Sequence, residues 1–227
     1  MKRVMALCVV SAMMFGLGVL AVEPGTSQSA KVIKLPEPVQ KGTLSLEETL
    51  AKRRSVRSFS AEPISMEQIG QLAWAAQGIT APERGLRTAP SAGATYPIEL
   101  YIVTQNGTYH YVPQGHQVEV LKEEDLRGQL ARAAGGQASV RNAAADFVIT
   151  AVYSRTMKRY GERGRTYVHL EAGHVGQNIQ LQAVSLGLGS VPIGAFKEEE
   201  IRTALSLPAD HEPVYMFAVG HPATESR

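Results

Sequence analysis

Residues 171–196 read EAGHVGQNIQLQAVSLGLGSVPIGAF, and their pattern changes period once. With the residues just before them, Val168, Ala172, Val175, Ile179, Ala183 and Leu186 recur at helical spacing, which predicts a long helix with one apolar face. Gly187-Leu188-Gly189 stops it. Val191–Ile193 then reads as a short strand that ends in the small residues Gly194 and Ala195. Working outward, Phe147–Tyr153 is an apolar, β-branched run before the helix and Val214–Val219 a second one after it; both predict buried strands. Glu198–Leu205 predicts a helix between them. Helices alternating with buried strands imply an α+β protein (an α/β sandwich), a mixed β-sheet flanked by helices.

Toward the N-terminus, Ser45 with Glu48 forms a capping box that opens a helix over Leu46–Arg53. Ser65 with Gln68 opens another, whose stripe is Ile69, Leu72, Ala73 and Ala76 and whose stop is Gly78. Residues 79–97 read as one long loop, a length that compact domains usually keep for function. Leu100–Thr104 and Tyr109–Val112 flank Asn106-Gly107, which predicts a type I′ hairpin. Leu121–Ala134 predicts a helix with Leu126 and Leu130 inward.

Lys2 and Arg3 precede an apolar run from Val4 to Val22, with Val19 and Ala21 placed for cleavage after Ala21. Residues 1–21 therefore read as an export signal, with an uncleaved membrane anchor as the alternative. Residues 22–42 read as a linker or extended arm, and residues 43–227 as the working domain. The expected location is outside the cytoplasm, periplasmic or secreted. Cleavage would leave 21 basic and 21 acidic groups in a chain that starts with 23 and 21. It would also remove Cys8, the one cysteine, leaving no thiol chemistry and no Cys-ligated zinc. A neutral chain has no electrostatic footprint for nucleic acid.

Five groups of residues carry candidate chemistry. Arg53, Arg54, Ser55 and Arg57 set three guanidiniums and a hydroxyl at a helix end, suited to a phosphate or, more simply, to the helix C-terminus. Pro90, Ser91, Ala92, Gly93 and Ala94 leave room for a flat ligand against the backbone. Glu171 lies between His169 and His174, but those histidines diverge by about 140° on a helix, so a polar flank is the better reading than a metal site. Lys158–Arg163 is a polar stretch in which Tyr160 sits beside cations. Gly194 and Ala195 offer free amides at a strand end.

In this order, RRSVRSF, APSAGATYPIELYIV, EAGHVGQNIQLQAVSLGLG with VPIGAF, and YMFAVGHP resemble the nitroreductase-like flavin family, in particular its SagB-type dehydrogenase branch. The resemblance runs from about Leu46 to Pro222. It implies an FMN-dependent oxidoreductase, homodimeric, with FMN at the subunit interface. It assigns Arg53, Arg54, Ser55 and Arg57 to the FMN phosphate and pyrimidine edge, and Pro90, Ser91, Ala92 and Ala94 to the loop that reaches the flavin from the other subunit. It sets Gly194 and Ala195 against the reactive flavin nitrogen. The strip at Gly173 and Gly176 would suit dimer packing. Azoline-oxidising members of the branch carry a Lys-Tyr pair where this chain has Arg159-Tyr160, and arginine is a poor base. Tyr160 is the catalytic candidate. NAD(P)H is the donor implied by the resemblance, whereas export points to a partner protein, a quinone or the small-molecule substrate itself. Competing readings are a heterocycle dehydrogenase using Tyr160, a non-enzymatic flavin-binding protein, and a phosphate binder without flavin.

Overall fold

The computed structural model describes residues 31–223, so the signal segment, most of the arm's first half and Cys8 lie outside the described residues. The elements run β1 (Lys31–Lys34), α1 (Leu46–Lys52), α2 (Met66–Gln77), β2 (Ile79–Ala81), β3 (Leu86–Arg87), β4 (Ile98–Thr104), β5 (Gly107–Val112) and β6 (Gln117–Lys122). They continue with α3 (Arg127–Ala133), α4 (Ala138–Arg141), β7 (Ala145–Ala151), α5 (Tyr153–Tyr160), α6 (Arg163–Ser185), β8 (Gly189–Ile193), α7 (Glu198–Leu205) and β9 (Glu212–Gly220).

Seven strands form one sheet in the order β1-β6-β5-β4-β7-β9-β8. Every pair in it is antiparallel. The parallel component is a single bridge from Ser55 to Ser190 at the β8 edge. Side chains alternate across each strand. Ile98, Leu100 and Ile102 of β4 join Phe147, Ile149 and Phe217 under α2 and α6 on one face. Tyr101 and Val103 join Val148 and Met216 under Leu126, Leu130, Ile201 and Leu205 on the other. The fold is thus the expected α+β sandwich, a large sheet with helices on both faces.

Local signals set the helices. Ser45 Oγ accepts from the Glu48 amide at 3.1 Å while Glu48 Oε2 accepts from the Ser45 amide at 2.7 Å; Ser65 and Gln68 repeat this at 3.3 and 2.9 Å. The long helix α6 buries Val168, Ala172, Val175, Ile179 and Ala183 as its spacing requires. No helix among the described residues is long and apolar enough to cross a membrane.

Several expectations are corrected. The hairpin turn is Gln105-Asn106, because Thr104 pairs with Gly107, and neither turn residue adopts the left-handed φ of a type I′ turn. Thr104 Oγ1 accepts from the Asn106 amide at 3.1 Å, and Gly107 stays in the strand, where a Cβ would lie 2.5 Å from the Lys122 carbonyl. The helix expected over Leu121–Ala134 starts only at Arg127; Gln117–Lys122 is a strand paired with β5, whose solvent-facing members hid its period of two. The loop at 79–97 contains the β2–β3 ribbon and a 3₁₀ turn at Ala92–Ala94. The polar stretch from Lys158 is the end of α5, and the strand expected to reach Tyr153 ends at Ala151. The arm contributes β1, antiparallel to β6 at the sheet edge.

Gly173 and Gly176 do not form one smooth strip. A Cβ at Gly176 would run into the Phe217 ring, so this glycine lets α6 close on its own sheet. Gly173 faces open space.

Candidate functional site

The chain leaves α1 and runs extended beside β8. The Val56 amide donates to the Ser190 carbonyl at 2.9 Å, and Val56 packs over Gly189, where a Cβ would lie 2.7 Å from it. The backbone pins this segment. Ser55 makes a parallel bridge to Ser190, so the middle of the arginine cluster is held against β8. Arg53 Nη1 donates to Gln180 Oε1 of α6 at 3.3 Å. Arg54 instead turns back on its helix end, Nε to the Lys52 carbonyl at 2.8 Å and Nη2 to the Ala51 carbonyl at 3.1 Å, which is the helix-capping reading of a basic C-terminus. Arg54 and Arg57 are exposed. Among the described residues no carboxylate lies within ion-pair range of any of the three guanidiniums. Gly194 and Ala195 are exposed just past β8, four residues from Ser190, or about 13 Å along a strand.

The loop at Pro90–Tyr96 is held differently. Ala94 (φ +53°) and Tyr96 (φ +44°) are non-glycine residues in the left-handed region. Such strain persists only where surroundings enforce it. The Ser91 hydroxyl accepts from the Tyr96 amide at 2.9 Å. Thr95 Oγ1 lies 2.8 Å from Thr156 Oγ1 of α5, Arg155 Nη1 donates to the Tyr96 carbonyl at 3.0 Å, and the Arg87 guanidinium stacks 4.4 Å from the Tyr96 ring centre. Gly93 (φ +60°) sits under α5: a Cβ there would lie 2.6 Å from the Tyr160 hydroxyl and 3.0 Å from Arg159 nitrogens. The chain therefore brings Tyr160 to the Ser/Gly/Ala loop.

Beneath this loop is Glu171, a residue the sequence reading left as polar flank. It is only 3% exposed, and its Oε1 has no hydrogen-bond partner. Burial pushes its carboxyl up to about 7, with the polar Ser91 side chain and the Arg87 charge working against it. With Pro90, Ser91, Ala92, Tyr167, Leu170 and His174 it lines a groove of about 270 Å³. One signal could have found it: Glu171 falls on the apolar stripe between Val168 and Val175. His169 points elsewhere, its Nε2 lying 3.2 Å from the Tyr153 hydroxyl.

A second polar cluster, with no local sequence signature, lies on the sheet. Glu99 accepts from His110 Nε2 at 2.8 Å and pairs with Arg155 at 2.6 Å. Burial works to raise Glu99, but His110 and Arg155 outweigh it and hold the carboxyl near 2. The same Arg155 holds Tyr96, so this cluster anchors the far end of the loop.

The structure thus gathers Arg53, Ser55, Arg57, Gly194 and Ala195 along one sheet edge, and Pro90, Ser91, Ala92, Ala94 and Tyr160 in another place. No hydrogen bond or ion pair among the described residues joins the two groups. Gln180 and Glu171, which touch one group each, are nine residues apart on α6, about 13.5 Å.

Comparison with known proteins agrees with this architecture. Residues 50–221 match the Nitroreductase family. A Methanocaldococcus jannaschii protein assigned as a nitroreductase is 41% identical over 194 residues, covering 83% of this chain and 95% of that one. The crystal structure of an assigned nitroreductase from Ralstonia eutropha superposes with a TM-score of 0.78 at 31% identity, over 89% of this chain and 93% of that one. The NADPH-flavin oxidoreductase of Vibrio harveyi is 27% identical over 183 residues, 77% of this chain but only 65% of the enzyme. The chain therefore belongs to the nitroreductase family of oxidoreductases.

Proposed function

We propose that two copies of this chain hold FMN between them and use it to move hydride or electrons to or from a small substrate. Arg53 and Arg57, with Ser55 and after release Arg54, would hold the phosphate. Gly194 and Ala195 would face the ring, and the Pro90–Ala94 loop of the second copy would close over it. The carrying observation is the first group: three guanidiniums within five residues, none facing a carboxylate among the described residues, on a backbone pinned to β8. That donor set fits a phosphate ester, because guanidinium pairs bidentately with phosphate oxygens. Bound FMN would supply reversible hydride and electron transfer. The chain's own part is to bind and orient the ring, and the exposed Gly194 and Ala195 leave a flat surface for it. Within one chain no hydrogen bond or ion pair among the described residues joins the two groups, which supports a site completed by a second copy.

The V. harveyi relative is named for NADPH, which makes NADPH the first donor to try. The basic-apolar order of residues 1–21 supports export, and with it a donor other than free NAD(P)H: a partner protein, a quinone or the substrate. Placement in the SagB-type branch rests on the sequence segments alone. One observation favours the heterocycle-dehydrogenase reading, the Tyr160 hydroxyl over Gly93, although Arg159 supplies no base beside it.

Purified full-length protein titrated with FMN tests the proposal, with flavin fluorescence as the signal. Tight, saturable quenching at one FMN per chain is expected. A protein that neither retains nor takes up FMN contradicts it. Anaerobic addition of NADPH then decides the donor: bleaching of the flavin band supports NADPH, and an unchanged band supports another donor.

A further inference from the structure

We propose that the groove between the Pro90–Ala92 segment and α6 seats a flat organic anion, an aromatic carboxylate in chemical class, and that Arg159 and Arg163 select its charge. The groove measures about 270 Å³. Pro90 and Ala92 wall it on the loop side, and Leu170 and the Tyr167 ring on the helix side. Small apolar residues facing an aromatic ring suit a flat molecule. The cations stand at the rim. Arg163 lies over the Tyr167 ring, 5.5 Å from its centre, and Tyr167 meets Tyr160 edge to face at 5.1 Å. Arg159 lies 5.5 Å from the centre of the Tyr160 ring. It also reaches the loop beside the groove, where its Nε and Nη1 are 3.0 Å from the place of a Cβ on Gly93.

Both guanidiniums are exposed, and among the described residues neither has a carboxylate within ion-pair range. The acid next to Arg163 in the chain, Glu162, is turned to Arg165 at 3.4 Å. Glu171, the acid that lines the groove, is 3% exposed, and burial pushes its carboxyl up to about 7. Below neutrality it therefore sets little charge against an anion. A guanidinium fork meets a carboxylate bidentately, while the ligand's ring packs on tyrosine. A neutral molecule of the same shape keeps the packing and lacks the fork, so the arginines discriminate by charge.

This proposal deepens the flavin reading and rests on it for the purpose of the seat, because the Pro90–Ala94 loop is the part assigned to the ring face. Its test does not need flavin, since every wall of the groove comes from one chain. Proton NMR line broadening in FMN-free full-length protein at pH 6 gives the affinities of 4-nitrobenzoate and of 4-nitrobenzamide, its neutral counterpart. Wild type is expected to bind the anion about tenfold more tightly, the gain of a charge-assisted hydrogen bond. Arg159→Gln with Arg163→Gln should weaken the anion alone and bring the two affinities within about twofold. Lysine at both positions should restore part of the preference, because it keeps the charge without the fork. A wild type that binds both molecules equally, or a glutamine variant that keeps the preference, overturns the proposal. So does loss of the preference when Arg53, Arg54 and Arg57 are replaced by alanine instead, which would put the anion on that cluster. FMN titration separates the two readings. A charge preference without FMN uptake sinks the flavin assignment alone, and FMN uptake without the preference sinks the anion seat alone.

Discussion

The Arg53–Arg57 segment and the Pro90–Tyr96 loop are both candidates for the same ligand, yet they are built in opposite ways. The first is fixed by its backbone, through the Val56–Ser190 hydrogen bond and the seat of Val56 on Gly189, while its charged ends stay free. The second has a strained backbone fixed by side chains from Arg87, Arg155 and Thr156. The difference teaches a division of labour. A phosphate can be met by mobile cations on a rigid rail, whereas a ring face needs a surface whose shape is set in advance.

The largest expected effect breaks the rail's chemistry while its backbone seat on β8 stays in place. Replacing Arg53, Arg54 and Arg57 together by alanine should weaken FMN binding about 100-fold or more, since hydrogen bonds to charged groups contribute about 1.5–3 kcal/mol each, while loss of the Gln180 bond and the helix cap lowers the melting temperature by a few degrees only. Among the single variants, Arg54→Ala should cost least, because Arg54 already bonds to its own helix end. Equal losses in fluorescence titrations of the three singles would show that the capping contacts do not persist in solution.

Next comes the rail's seat. Gly189→Ala places a Cβ 2.7 Å from Val56 and should destabilise by about 1–3 kcal/mol in urea unfolding. Gly93→Ala meets only the movable ends of Tyr160 and Arg159, so its cost should be about 1 kcal/mol from left-handed strain. A reversed order would mean that the loop, not the rail, is the rigid partner.

A smaller effect concerns the loop's far anchor. Glu99 sits near 2, below its ordinary value, so the stability it contributes is present above about pH 4.5 and is lost as pH falls toward 2. Glu99→Gln should flatten that acid limb of the urea midpoint against pH. It should also speed exchange of the Tyr96 region, because Arg155 loses its charged partner. Smallest of all, Tyr160→Phe should change FMN affinity by less than about twofold, since removing a partly exposed hydroxyl with no hydrogen-bond partner costs little. A large fall in turnover from the same variant, once a substrate is found, would make Tyr160 catalytic.

Legibility in the sequence follows the same division. The capping boxes at Ser45 and Ser65, the stripe of α6 and the cluster at Arg53–Arg57 depend on residues within a turn or two of each other, so spacing alone exposes them. The strand β6 escaped notice because the exposed Leu121 breaks the alternation that Val118, Glu119 and Val120 begin. The loop's supports were invisible for another reason. Arg87 comes from β3 and Arg155 and Thr156 from α5, and only the fold makes them neighbours of the loop. Gly176 misled for a related cause: its missing side chain serves Phe217 of the same chain, a contact formed 41 residues away.

The central claim is that one copy supplies the arginine rail and another supplies the loop. It is tested most directly by pairing two defective chains, one with Arg53, Arg54 and Arg57 replaced by alanine, the other with Ser91 and Thr95 replaced by alanine, which removes the loop's hydroxyl ties to Tyr96 and Thr156. If sites form between copies, a mixed dimer keeps one intact site, and random pairing restores FMN to about one quarter of the wild-type amount, well above either parent. If each chain builds its site alone, mixing restores nothing, and FMN content no higher than that of the two parents would contradict the account.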